Sequence, residues 1–245
     1  MKAAFLIHGF LSDKNDFERL LPVIENRYDE VFIKDLPAHG KDRQKRQGVK
    51  LKDILNFVEQ NFDRLKETYD TVDVYGYSMG GALASYLACT REVGKLILLA
   101  PAHKAPALFF PLSNLKFRRE CRKEKKGATG FLGKKISCRA DMKKDNKRAY
   151  RHFFRVMLPR FSPRNLHNFF KIIRYCNKHL KEIKIPALIL YGRLDQLVPH
   201  SAIKKISGRC VDLKCVVYRD IGHLMLLSCA YETMINDITS FLDKN

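Results

Sequence analysis

The chain has 245 residues, 46% of them hydrophobic, and 46 Lys and Arg against 26 Asp and Glu give it a net charge of +20. That length supplies one medium-sized domain, or one domain with a sizeable insertion, and enough apolar material for a substantial core. The composition excludes disorder, collagen and a coiled coil, and no apolar run reaches the roughly 20 residues that span a bilayer.

Residues 3–8 form a short apolar run, the pattern of a strand buried on both faces. The amino terminus is too short, and lacks the small-residue cleavage site, for a secretory signal, so a cytoplasmic protein is expected. Phe17, Leu20, Leu21, Val23 and Ile24 then give a helical face, and Tyr28 to Leu36 reads as a second strand closed by Pro37-Ala38-His39-Gly40. Leu51, Ile54, Leu55, Val58, Phe62 and Leu65 recur at three- and four-residue steps and predict an amphipathic helix. Thr71 to Tyr75 is a third strand, running through Gly76-Tyr77-Ser78-Met79-Gly80-Gly81 into helix-prone residues 82–88. Leu96 to Leu99 is a fourth strand, Pro186 to Tyr191 a fifth and Cys215 to Tyr218 a sixth, with helices expected over 202–206 and 226–242. Strands alternating with helices imply an α/β fold, a mainly parallel sheet of about six strands covered on both faces.

The alternation breaks between residues 102 and 183. From Lys104 to Lys181 there are 23 Lys and Arg but only Glu120, Glu124, Asp141 and Asp145, so this segment carries nearly all of the net charge. Nine of the sixteen phenylalanines lie between Phe109 and Phe170. An insert both basic and rich in phenylalanine reads as a packed lid, which gives a core of 1–101 and 184–245 and a cap of 102–183. Its charge suits an anionic membrane surface, an anionic substrate or a nucleic acid, and no nucleic-acid module motif is present. The seven cysteines are odd in number and irregularly spaced, as expected of free thiols in a reducing compartment. Neither a metal nor a cofactor is expected.

Gly76-Tyr77-Ser78-Met79-Gly80 matches G-x-S-x-G between a strand and a helix. A tight turn there strains the serine, the flanking glycines leave it room, and the next helix aims its N–H groups at the same point. At these residues the chain resembles the α/β-hydrolase superfamily, in particular small carboxylesterases and monoacylglycerol-lipase-like serine hydrolases. The resemblance covers residues 3–101 and 184–244. It rests on His8-Gly9-Phe10, Pro37-Ala38-His39-Gly40, the Ser78 elbow, Tyr191 to Pro199 and Gly222-His223.

The resemblance implies Ser78 as nucleophile, Asp195 as triad acid, His223 as base, and the backbone N–H groups of Phe10 and Met79 as oxyanion donors. It also implies that the first antiparallel hairpin of larger members is missing, and that the insert is a helical cap over the acyl pocket. Phe109, Phe110, Phe153, Phe154, Phe169 and Phe170 are candidates for that lining, or for the cap's own small core. Asp220 is the alternative carboxylate, but it shares a short loop with His223 and must approach the ring awkwardly. His8 and His39 read as loop braces and Cys89 and Tyr77 as packing, while His103 and His200 flank strand ends without a motif. The expected activity is hydrolysis of a carboxylic ester of a lipid-like acyl chain or monoacylglycerol. Peptidase, thioesterase and non-catalytic surface-binding roles are the alternatives. Oligomeric state is left open.

Overall fold

The computed structural model describes residues 1–40, 49–104, 147, 151, 155, 162–195, 197–219 and 221–244. Among the described residues six strands form one parallel sheet: β1 (Lys2–Ile7), β2 (Glu30–Ile33), β3 (Thr71–Tyr77), β4 (Leu96–Leu99), β5 (Ala187–Gly192) and β6 (Leu213–Tyr218). Their spatial order is β2-β1-β3-β4-β5-β6. The chain therefore winds one way from β1 to β2 and the other way from β3 onward. Such a reversal opens a crevice at the carboxyl ends of β1 and β3, where α/β proteins place ligands.

The strands read as continuous apolar runs because each buries both faces. Ala3, Phe5 and Ile7 face one core cluster, while Ala4 and Leu6 face the other. The same alternation repeats in β4, with Leu96 and Leu98 on the first face and Ile97 and Leu99 on the second. Helices α2 (Leu51–Thr68), α3 (Met79–Thr90) and α5 (His200–Ser207) pack on the first face. The short α1 (Leu21–Ile24) and the closing α6 (Tyr231–Leu242) cover the second. Each fully buried large side chain in these layers contributes on the order of 2 kcal/mol by leaving water.

The second strand is shorter than its apolar run, because only Glu30 to Ile33 pairs with β1. Pairing ends there because the chain turns away to place Leu36 N–H on His8 Nε2 (2.9 Å). The closing helix begins at Tyr231, five residues later than expected, after a 3-10 turn over Met225–Leu227.

Strands β4 and β5 are neighbours, with Leu96 opposite Ala187, although residues 102–183 lie between them in sequence. The sheet is thus continuous across the expected insert. Of that insert the structure describes chiefly α4 (Pro163–Lys178). Ser162 caps it by accepting the Asn165 N–H (3.1 Å), and Pro163 occupies its first turn. Its buried stripe of Phe169, Ile172, Ile173 and Cys176 joins the first core cluster beside α3. Phe109, Phe110, Phe153, Phe154 and the cysteines Cys121 and Cys138 lie outside the described residues. No helix among the described residues is long and apolar enough to cross a membrane.

At the opposite end of the sheet from the crevice, buried Asp73 on β3 ties three segments together. It accepts from Tyr28 Oη (2.8 Å), Lys95 N (2.7 Å) and Lys2 Nζ (2.9 Å). Pairing of this kind is what makes a carboxylate tolerable at zero exposure.

Candidate active site

Ser78 stands between the last residue of β3 and the first residue of α3, at φ 55° and ψ −114°. A left-handed conformation on a residue with a Cβ is strained, and its neighbours must hold it. Ser78 N donates to Leu99 O (2.9 Å), while Gly81 N and Ala102 N donate to Ser78 O (3.0 and 2.9 Å). Gly80 makes the turn sterically feasible. A Cβ there would lie 2.0 Å from Ile7 O, so only a glycine lets α3 start this close to β1.

Three of the residues expected at the site meet at the carboxyl end of the sheet. Ser78 Oγ lies 3.0 Å from His223 Nε2, and His223 Nδ1 lies 2.7 Å from Asp195 Oδ2. A carboxylate only accepts, so the imidazole proton sits on Nδ1 and Nε2 is left to accept from the serine hydroxyl. The other oxygen, Asp195 Oδ1, accepts from Leu197 N (2.8 Å) and Val198 N (2.7 Å), which fixes the carboxylate plane. The Asp195 side chain is wholly buried and His223 nearly so. Two loops carry these residues, and they meet closely: Leu194 N donates to Ile221 O (2.9 Å), and a Cβ on Gly192 would lie 2.4 Å from the same oxygen. Asp220 lies outside the described residues.

The loop after β1 runs along the serine, so that a Cβ on Gly9 would sit 3.4 Å from Ser78 Cβ. Met79, the first residue of α3, has no carbonyl one turn back to receive its N–H. Phe10 follows Gly9 on the loop, and its ring packs on Phe169 of α4 (centroids 4.8 Å apart). The fully buried His8 braces this loop: its Nε2 accepts from Leu36 N, so its Nδ1–H donates to Gly9 O (2.9 Å). His39 Nδ1 sits 3.0 Å from Pro37 O, and its ring lies against that of His8.

Two residues support the cluster in ways the sequence does not mark. Asp16 accepts from Gly9 N (3.1 Å) and from the Ser12 hydroxyl, and so grips the loop that carries Phe10. Burial pushes its carboxyl up to about 6, against the opposing pull of those two donors and of His223. Tyr77, read as packing, donates its Oη–H to His223 O (2.7 Å) and stacks on the imidazole (5.5 Å, 20°). Burial, then the Asp16 and Asp195 charges, hold its phenol well above the usual range, so it remains a donor. No sequence pattern marks Asp16, because its only signature is a contact across the turn.

His103 and His200 make their contacts outside this cluster. His103 is buried between Ser85 Oγ (3.1 Å from Nε2) and Asn177 Oδ1 (3.1 Å from Nδ1), which joins α3, the segment after β4 and α4. His200 opens α5 with its ring 5.7 Å from that of Tyr191. Cys89 is half-buried at the edge of the core, accepting from Lys181 N (3.3 Å).

Residues 2–228 match the model of the family described as serine aminopeptidase, S33. The chain belongs to that family. This member of the serine aminopeptidase S33 family has the α/β-hydrolase fold and is a hydrolase. It is 22% identical over 235 residues to a pimeloyl-[acyl-carrier protein] methyl ester esterase of Legionella pneumophila, covering 91% of this chain and 88% of that one. Among solved structures, one of two metagenome-derived lipolytic enzymes superposes with a TM-score of 0.72 at 16% identity, covering 100% of this chain and 94% of that one. A Paleococcus ferrophilus monoacylglycerol lipase gives 0.71 at 19% identity, with 98% and 93% covered. The structural likeness is one of fold.

Proposed function

We propose that this protein hydrolyses carboxylic esters through an acyl-enzyme on Ser78, with a lipid-like acyl ester or monoacylglycerol as its substrate. The observation that carries the reading is the unbroken relay from Ser78 Oγ through His223 to Asp195, at 3.0 and 2.7 Å. In this reading His223 Nε2 takes the serine proton as Oγ attacks the ester carbonyl, and Asp195 stabilises the resulting imidazolium. The Phe10 and Met79 N–H groups receive the oxyanion, each contributing about 3 kcal/mol to the barrier reduction in comparable sites. His223 then returns the proton to the leaving alkoxide, and water attacks the acyl-enzyme by the same relay in reverse. Relatives named as a methyl ester esterase and a lipase support an ester over other acyl substrates.

A core of 1–101 and 184–245 with a cap of 102–183 belongs to the same reading, supported by the pairing of β4 with β5 across the insert. So does a cytoplasmic location, supported by the odd number and irregular spacing of the seven cysteines.

A fluorophosphonate should label Ser78, and Ser78→Ala should lose both the label and turnover of p-nitrophenyl esters. Labelling that persists in the variant would remove Ser78 as nucleophile. An aminoacyl amide and an acyl thioester in the same panel separate the peptidase and thioesterase alternatives, each of which requires turnover above that of the best ester.

A further inference from the structure

The two N–H groups that receive the oxyanion in this reading belong to peptide units whose carbonyl oxygens are gripped. A peptide bond is planar and trans, so its N–H points away from its own C=O, and a bond that fixes the oxygen also aims the N–H. Phe10 N–H shares its unit with Gly9 O, which His8 Nδ1–H holds at 2.9 Å. Met79 N–H shares its unit with Ser78 O, which accepts from Gly81 N within the turn (3.0 Å) and from Ala102 N across it (2.9 Å).

Ala102 belongs to the segment 99–103, which runs from the end of β4 across the start of α3. Leu99 O accepts from Ser78 N (2.9 Å), and a Cβ on Gly81 would lie 2.8 Å from Pro101 Cα. Ala100 sits at φ 46°, a left-handed conformation that a residue with a Cβ keeps only when its surroundings hold it. On one side Ala100 N donates to Leu190 O (2.9 Å). On the other side the anchor is the buried His103. Asn177 Oδ1 only accepts, so the ring proton sits on Nδ1 (3.1 Å), and Nε2 faces the Ser85 hydroxyl of α3 (3.1 Å). Asn177 Nδ2 donates in turn to His103 O (2.9 Å), so one amide closes on both the ring and the backbone of the same residue. Ser85, His103 and Asn177 repeat the order of a serine–histidine relay, but Ser85 has no exposure and offers no nucleophile to a substrate. This cluster acts by holding, not by attack.

We propose that His103 is a positioning residue for the oxyanion hole: clasped by Asn177, it keeps the Ala102 N–H on Ser78 O and so aims the Met79 N–H. The proposal rests on the serine-hydrolase reading of Ser78 and names what sets one of its two donors. Asn177 lies on α4, and about two turns earlier the same helix sets Phe169 against Phe10, the residue of the other donor (centroids 4.8 Å apart). One helix thus braces both halves of the hole. His103 is buried out of a substrate's reach, so loosening the clasp weakens transition-state binding and leaves ground-state binding alone.

The test compares Asn177→Ala, His103→Ala and His103→Gln with Leu65→Ala, which removes a buried side chain of the same core cluster from α2, outside the clasp. Each variant is assayed where it is fully folded, with p-nitrophenyl acetate as substrate and an alkyl trifluoromethyl ketone as inhibitor. Ser78 Oγ adds to the ketone carbon, the ketone oxygen becomes the oxyanion and the serine proton passes to His223, so the ketone's affinity reads the hole. Asn177→Ala and His103→Ala should lose about tenfold in kcat, a part of the loss that deleting a donor causes, with KM within about twofold of the parent. The ketone's inhibition constant should rise by a similar factor. His103→Gln keeps an amide donor beside Asn177 and should recover most of both losses. Leu65→Ala should lose thermal stability alone. Clasp variants that likewise lose stability alone, with kcat and ketone affinity at the parent's values, would make His103 structural and overturn the proposal while the hydrolase reading stands. Should His103→Ala not fold, Asn177→Ala decides by the same two readouts. A parent that neither turns over esters nor takes a fluorophosphonate on Ser78 would overturn the reading beneath the proposal as well.

Discussion

Ser78, His223 and Asp195 differ in how each is held, and the difference predicts how each responds to change. Ser78 is fixed by the backbone hydrogen bonds that hold its strained turn, whereas His223 is fixed by side-chain partners: Asp195 at Nδ1, the Tyr77 ring on its face and Tyr77 Oη at its carbonyl. Replacing Asp195 by Asn keeps the shape but offers an N–H where an acceptor is needed, so the imidazole takes the wrong tautomer. Ester turnover by Asp195→Asn should fall by about three to four orders of magnitude, while Asp220→Asn stays near the parent. Steady-state kinetics on one soluble ester checks both, and the opposite ranking would name Asp220 as the acid. Tyr77→Phe removes only the phenol bond and should lower kcat by about tenfold with KM little changed, since the ring stack is kept. A loss confined to thermal stability would show Tyr77 to be structural alone. The serine and the histidine were legible in sequence because each sits in a short motif. Asp16 and the role of Tyr77 were not, because they act through contacts between segments.

At the level of elements, the β3–α3 elbow depends on how closely α3 approaches β1. Gly80→Ala would drive a Cβ to 2.0 Å from Ile7 O, against backbone on a central strand that cannot move aside. Overpacking of this kind costs about 1–3 kcal/mol where side chains can give way, and more where only backbone can. Urea unfolding of Gly80→Ala should therefore show a loss of at least about 3 kcal/mol, or no folded protein. A variant as stable as the parent would mean that α3 can slide off β1. The strand–helix alternation was readable from apolar runs and three- to four-residue steps. The late start of α6 was not, since Leu226 and Leu227 carry helical-looking residues but are needed in the turn that follows His223. The tertiary demand for a short loop there overrides local propensity.

Two buried titrating groups oppose each other in the stability of the whole molecule. Native Asp16 keeps its proton to about pH 6, whereas an unfolded aspartate releases it near 3.8. Stability on this account falls as pH rises through that window, by about 3 kcal/mol. His103 works in reverse: burial lowers it to about 4 from 6.5, so stability falls as pH drops through its window, also by about 3 kcal/mol. In Asp16→Asn the unfolding free energy relative to the parent should therefore rise by about 3 kcal/mol between pH 4 and 7. In His103→Gln the same difference should fall by a similar amount. Denaturant unfolding across that range reads both slopes, and a flat difference for either variant would remove that residue from the balance.

From the sequence alone came the class of fold, the position of the serine elbow and the confinement of charge to one segment. Each of these is written in neighbouring residues, as period, motif or composition. Strand order, the meeting of two loops through Gly192 and Ile221, the grip of Asp16 on the loop carrying Phe10, and the clasp of Asn177 on His103 were decided only in three dimensions. Helix α4 illustrates the reason: its sequence shows a basic stripe and an apolar stripe, and both are legible. What the apolar stripe meets is settled by packing of α4 on α3 through Ile172, Ile173 and Cys176, and the same packing brings Asn177 to His103. Local periodicity says which side of a helix is apolar, but only the closed core says which residues of other segments that side meets.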